Sequence, residues 1–292
     1  MSGSNIRGVI TAMVTPFAED GGVDIDASRR LARHLVEHGS HGVVVAGTTG
    51  ESPTLTDDEQ IEMLRAVKDE IGGEATVIAG TGTNDTRHSI HLTEASTEAG
   101  ADACLVVTPY YNKPNPAGLK AHFAAIAAST DRPIVLYNIP SRCVINMPPE
   151  LLGEIAAENE NVVAVKQANN DELGPIDGLE ILAGNDEIQL RTLEVGGTGG
   201  ILVASHVVGD EMRELHDAYE AGEHDRAREI QERLAPIYKA MTVTSNPIPV
   251  KTALEMLGVV SARVRLPMVE ADESQRAAIR SALESHGLLA AA

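Results

Sequence analysis

Short apolar runs at near-regular spacing constrain this chain more than any other feature. They are Gly8–Val14, Gly42–Gly47, Thr76–Gly80, Ala103–Thr108, Ile134–Asn138, Val162–Lys166, Leu179–Gly184 and Gly200–Ala204. Each has the length of a strand, and most are continuously apolar, which suits parallel strands covered on both faces. The first six begin roughly 30 residues apart, the length of a strand–helix repeat. Amphipathic stretches fill the gaps: Asp26–His38, Asp57–Ile71, Thr86–Ala99, Pro116–Ser129 and Pro149–Ala157. Several open on helix-start signals, namely Asp24 or Asp26, Thr56 followed by Glu59, and Pro148-Pro149. The last two runs come sooner, so the helix between Lys166 and Leu179 must be short or degraded. Eight strands alternating with helices predict an α/β fold, a closed (β/α)8 TIM barrel. A doubly wound open sheet is the alternative, but no Gly-x-Gly-x-x-Gly follows the first run.

The strand signals stop after Gly209. Asp210–Ala221 reads as the eighth barrel helix, and His224–Thr242, Pro249–Leu257 and Glu273–His286 read as a C-terminal helical extension. The expected division is therefore a barrel over residues 1–222 and a three-helix extension over 223–292. Such an extension packs either on its own barrel or on a neighbouring subunit.

Charge excludes some partners. The chain carries 43 acidic against 23 basic residues, a formal net charge of −20, and only six of the bases are lysine. Such a surface repels nucleic acid and anionic membranes. The acids are dispersed along the chain rather than gathered in a disordered acidic arm. Ordinary solubility is one reading of such a surface, and adaptation to a high-salt, halophilic cytoplasm, where self-repulsion is screened, is the favoured one. No apolar run reaches the length of a membrane span, and Met1–Gly8 has no signal-peptide core, so a cytoplasmic location is expected. Cys104 and Cys143 are too few for a disulfide framework. No Cys/His cluster has zinc spacing, so no metal site is expected. His88, His91 and His122 lie in helical stretches and receive no role.

Chemistry-bearing residues fall where a barrel needs them, just after the strands. The run Val162–Ala168 ends its apolar stretch in Lys166, and an ammonium closing a core strand needs a partner or a task. The preceding run ends in Tyr137, with Arg142 just beyond. A desolvated lysine as nucleophile, a phenol as proton carrier and a guanidinium as carboxylate clamp suit an anionic carbonyl substrate. Gly47-Thr48-Thr49-Gly50-Glu51 follows the second run and offers amides and hydroxyls to a carboxylate, without the Lys-Ser/Thr of a phosphate loop. Pro109-Tyr110-Tyr111 follows the fourth run and Gly184-Asn185-Asp186 the seventh.

These motifs carry a resemblance. Gly47–Ser52, Thr108–Pro114, Tyr137–Arg142, the strand ending in Lys166 and Asn246-Pro247-Ile248-Pro249-Val250-Lys251 closely resemble the dihydrodipicolinate synthase family, pyruvate-dependent class I aldolases related to N-acetylneuraminate lyase. The likeness runs from Gly8 to about Leu289. It implies a lyase that condenses pyruvate with L-aspartate 4-semialdehyde to 4-hydroxy-tetrahydrodipicolinate, on the route to diaminopimelate and lysine. It also implies no cofactor beyond a covalent Schiff base on Lys166. Tyr137, Thr49 and Tyr111 would form a proton relay, Tyr111 reaching in from a neighbouring subunit of a homotetramer of tight dimers. Thr48 and Thr49 would hold the pyruvate carboxylate, Arg142 the carboxylate of the aldehyde, and Gly184 and Ile201 would lie beside the lysine as backbone groups. The chain departs from the family pattern at Cys143-Val144, at Gln167 and in the short segment Asn169–Gly178, which are expected to flank the second-substrate pocket. In members inhibited by L-lysine, two histidines follow Gly-Glu-Ser and a glutamate follows the third strand. Asp57, Gln60 and His88 stand at those places here, so insensitivity to lysine is expected. The competing readings are another pyruvate aldolase, such as a 2-keto-3-deoxygluconate aldolase, and a non-catalytic barrel that binds a metabolite. Arg142 and Pro247-Ile248-Pro249 favour the synthase over the first, and the Lys/Tyr/Thr/Tyr set weighs against the second.

Overall fold

The computed structural model describes residues 6–290. Eight parallel strands close into a barrel in chain order. In order, the elements are β1 (Gly8–Ala12), α1 (Ile25–Glu37), β2 (Gly42–Val45), α2 (Asp57–Ile71), β3 (Thr76–Gly80), α3 (Thr86–Glu98), β4 (Ala103–Val107), α4 (Pro116–Ala127), β5 (Ile134–Asn138), α5 (Pro140–Cys143), α6 (Pro149–Glu158), β6 (Val162–Gln167), β7 (Glu180–Ala183), α7 (Gln189–Glu194), β8 (Gly199–Leu202), α8 (Ser205–Glu220), α9 (His224–Ala240), α10 (Ile248–Met256) and α11 (Glu273–Ser285). The strand–helix alternation read from the spacing of the apolar runs is the one observed. As that spacing required, only a single 3-10 turn, Asn170–Glu172, lies between β6 and β7.

The strands are buried on both faces because two apolar clusters share them. Ile10, Val44, Ile78, Leu105, Val135, Ala164, Leu182 and Ile201 fill the lumen. Their neighbours Val9, Val43, Val45, Val77, Cys104, Val106, Leu136, Val165 and Leu202 face the helices. This is the period-two alternation of strands, hidden in the sequence because both faces are apolar. The barrel closes where Gly8 pairs with Gly199. A Cβ on Gly199 would stand 2.1 Å from the Gly8 carbonyl oxygen, so only glycine permits that approach.

Local signals set most helix starts. Asp24, not Asp26, caps α1 by accepting from the Ala27 N–H. Thr56 and Glu59 form a reciprocal capping box on α2. The eighth barrel helix begins earlier than expected, at Ser205 rather than Asp210. Its backbone leaves helical geometry at Val208 and resumes, so Gly209 follows a kink rather than preceding a start. Helices α5 and α7 are too short for a periodic signal. The C-terminal helices pack on their own barrel: Ile230, Leu234 and Ile237 of α9, Val250 and Leu254 of α10, and Ile279 and Leu283 of α11 belong to the same apolar cluster as the outer strand faces. Among the described residues, no helix is long and apolar enough to cross a membrane.

Candidate active site

Lys166 reaches the lumen through a register shift. Along β5 and β6, Ile134 pairs with Val162, but Val135 pairs with Ala164, leaving Val163 as an extra residue. Val162 faces the helices; uninterrupted alternation from there would turn Lys166 outward as well. The bulge resets the phase, so Ala164 faces the lumen, Val165 the helices and Lys166 the lumen again. Tyr137 pairs directly with Lys166 across the two strands. The lysine Nζ lies 4.3 Å from the centroid of the Tyr137 ring.

These two side chains stand in a cavity of about 180 Å³ at the C-terminal ends of the strands. Thr48 and Thr49 of the loop after β2 line it, as do Arg142 of α5 and Gly184 after β7. Gly184 is required there, because a Cβ would stand 2.7 Å from both the Gln167 carbonyl oxygen and the Ala168 side chain. Asn185, Asp186, Met241, Thr242 and Asn246 complete much of the wall. Asn246 joins two parts of it: its Nδ2 donates to the Thr49 hydroxyl at 2.9 Å, and its backbone carbonyl accepts from the Arg142 guanidinium at 3.3 Å.

Burial sets the protonation states. Lys166 is 4% exposed, and desolvation pulls its ammonium from 10.5 down to about 7, with the Asp186 carboxylate opposing and the Arg142 guanidinium assisting. Roughly half of the amines are then neutral at pH 7, against about one in 2,500 for a free lysine. Burial pushes the Tyr137 phenol above its ordinary value, opposed in part by Arg142 and by a hydrogen bond with Thr48, so tyrosine keeps its proton. Burial likewise raises Asp186 to about 6, although the Val203 and Ala204 N–H groups donate to its carboxylate. A neutral amine beside a protonated phenol and two threonine hydroxyls, with a guanidinium at the rim, can attack a keto acid and relay the protons the attack requires.

Of the eight residues singled out from the sequence, Lys166, Tyr137, Thr48, Thr49, Arg142 and Gly184 line this cavity. Ile201 is buried in the lumen among the inward side chains of the barrel. Tyr111 is not in the cavity of its own chain. It is 87% exposed, on a left-handed backbone with φ 74°. Asp186 and Asn246 received no site role from the sequence, though both belong to motifs noted there; an acid just after a barrel strand was the available signal. The departures at Cys143, Val144 and Gln167 are not in the cavity wall: Cys143 and Gln167 are buried, and Val144 is exposed. The Cys143 thiol donates to the Thr108 carbonyl, and the Gln167 amide oxygen accepts from Asn138 Nδ2 and the Asn169 N–H. Among the described residues, no cluster of His, Cys, Asp and Glu could hold a metal ion.

The model of the dihydrodipicolinate synthetase family matches residues 5–286. The chain belongs to that family. A curated member, the 4-hydroxy-tetrahydrodipicolinate synthase of Moorella thermoacetica, is 47% identical over 96% of this chain and 98% of that protein. The crystal structure of the dihydrodipicolinate synthase of Aquifex aeolicus superposes with a TM-score of 0.94 at 40% identity, covering 97% of this chain and 99% of that one. The enzyme of Cyanidioschyzon merolae, solved with lysine bound, gives the same score and identity over 98% of this chain and 99% of its own. Membership in this family accounts for a barrel whose chemistry gathers at one strand-end cavity, and it makes the chain a lyase-type enzyme.

Proposed function

We propose that this chain condenses pyruvate with L-aspartate 4-semialdehyde to 4-hydroxy-tetrahydrodipicolinate through a Schiff base on Lys166, in the cytoplasm. The observation that carries the reading is a buried, partly neutral lysine facing Tyr137 across paired strand ends. The Lys166 amine attacks the keto carbon of pyruvate, and loss of water gives an imine. The former methyl group then loses a proton while the imine nitrogen takes up the electron pair, giving an enamine. The enamine carbon bonds to the aldehyde carbon of the second substrate. The amine of that substrate attacks the imine carbon, closes the ring and frees Lys166. Thr48 and Thr49 hold the pyruvate carboxylate, and Tyr137 passes protons with Thr49 and Tyr111. The imine is itself the electron sink, so this scheme calls for no separate cofactor. Rates with L-aspartate 4-semialdehyde and with sugar-derived aldehydes, each with pyruvate, test the substrate. A faster reaction with the sugar-derived aldehyde would assign a 2-keto-3-deoxygluconate-type aldolase instead.

Arg142 is the clamp for the aldehyde's carboxylate. Arg142→Ala should raise the KM for the aldehyde by about 10- to 100-fold, the loss of a charge-assisted contact, and leave the KM for pyruvate within about twofold. Equal rises for both substrates would place Arg142 elsewhere.

Tyr111, exposed on this chain, completes the relay of a neighbouring subunit in a homotetramer of tight dimers. The acidic surface fits a high-salt cytoplasm. Activity and a four-chain mass in sedimentation should therefore rise together from dilute buffer to molar potassium chloride. A protein fully stable and active in dilute buffer would refute the salt reading, and a fully active monomer would remove Tyr111 from the relay.

L-Lysine should not inhibit. The Asp57 carboxylate, the nearest substitute for the missing glutamate, is already engaged by His88 at 2.9 Å and His91 at 3.6 Å. A titration at sub-saturating pyruvate checks this, and half-inhibition below a few millimolar would show that Asp57 is free to pair with the ligand's ammonium.

A further inference from the structure

One fully buried ion pair lies outside the cavity. Lys251, in the first turn of α10, donates to Glu51 Oε1 at 2.6 Å, and both side chains are 0% exposed. Their remaining polar groups are engaged. Lys251 also donates to the Arg263 carbonyl at 2.6 Å and lies 4.2 Å from the centroid of the Phe17 ring. Glu51 Oε2 accepts from the Arg265 N–H at 2.9 Å. Glu51 itself sits on a left-handed backbone, φ 57°, which a non-glycine residue holds only when its surroundings enforce it.

The pair joins the same two segments as the contact inside the cavity. Glu51 follows Thr49 by two residues, and Lys251 follows Asn246 by five. Thr49 and Asn246 meet at 2.9 Å, and Asn246 in turn accepts from Arg142. The loop has an anchor of its own, because the Thr15 hydroxyl donates to the Gly50 carbonyl at 2.6 Å. The segment at Asn246 has no such second tie to the loop among its hydrogen bonds in the described residues.

We propose that the Glu51–Lys251 pair is a clamp that seats the start of α10 on the Thr48–Thr49 loop, and so positions Asn246 and Arg142 for the second substrate. The inference rests on the condensation proposed above. Glu51 and Lys251 are positioning residues and touch no substrate. Loosening the clamp leaves the threonines in place through Thr15, while Asn246 and the guanidinium it holds are displaced. The pyruvate half-reaction then proceeds and the aldehyde half-reaction suffers, since small misplacements of a binding group cost large factors in rate.

The test compares the wild-type chain with Glu51→Gln combined with Lys251→Met. Removing both charges together avoids leaving one buried without its partner, and the introduced amide oxygen can still accept from the Arg265 N–H. The expected result is full borohydride labelling of Lys166 by pyruvate, a KM for pyruvate within about twofold of wild type, and a KM for the aldehyde raised about tenfold or more. A folded double variant with both KM values unchanged would overturn the clamp and leave the pair a purely structural one. Equal rises in both, or loss of labelling in the variant alone, would also overturn it, because the threonine loop would then have moved. Should the double variant fail to fold, Glu51→Asp, which keeps the charge and both acceptor oxygens but draws them back by one methylene, must show the same split between the two KM values; its absence overturns the clamp. Failure of the wild-type chain to label would instead bring down the Schiff-base reading itself.

Discussion

Lys166→Ala should lower turnover by at least about 10⁴-fold, because the imine cannot form without the amine and no other group in the cavity can replace it as electron sink. Among the described residues, Lys166 is the only lysine that lines the cavity. The loss should not come from unfolding. A lysine whose folded pKa lies near 7 and whose unfolded value lies near 10.5 binds more protons when the chain is unfolded. Stability therefore rises with pH through that window. The penalty is full below about pH 7 and gone above about 10.5, and at neutral pH it amounts to about 4 kcal/mol. Alanine removes it, so the variant should melt no lower than the wild type despite the small void left behind. A melting temperature several degrees lower would mean that the ammonium has a partner holding it charged in the fold.

Tyr137→Phe should lower kcat by about 10²- to 10⁴-fold, the usual worth of a positioned proton carrier, and still allow pyruvate to be trapped on Lys166. The ring is what faces the lysine at 4.3 Å, and phenylalanine keeps the ring. In the proposed relay the hydroxyl carries the protons. Because burial raises its pKa, the phenol keeps its proton instead of resting as a phenolate, as the proposed relay requires. Single-turnover rates separate the steps: imine formation and carbon–carbon bond formation should slow while the affinity for pyruvate changes little. Unchanged turnover would assign the proton transfer to another group, such as Thr48, whose hydroxyl lowers the Tyr137 pKa against the effect of burial.

The sequence carried the barrel because the physics behind it is local and repeated. Eight apolar runs, each preceded or followed by an amphipathic stretch, leave little choice once the spacing matches a strand–helix unit. The site was legible to the extent that its side chains end strands. Lys166 and Tyr137 could be matched because apolar runs of similar length bring their ends level. The facing of Lys166 was not legible, since it depends on the extra residue Val163, and a run apolar on both faces hides its own phase. Tyr111 was recognised by motif alone; on this chain it points to solvent, and its role depends on a second subunit. Asn246 and the Glu51–Lys251 pair bring together residues about 200 positions apart, a juxtaposition that only the folded chain displays. Arg265 shows the same limit: its guanidinium pairs with Glu59 and stacks on Phe17, tying the chain beyond α10 to both the first loop and α2.

The central claim is that Lys166 forms a Schiff base with pyruvate. Incubation with pyruvate and borohydride, followed by digestion and mass spectrometry, tests it most directly. The account requires one stable pyruvate-derived mass on the peptide that contains Lys166, absent without pyruvate and absent in Lys166→Ala. A label on any other lysine, or none at all in an active enzyme, would contradict it.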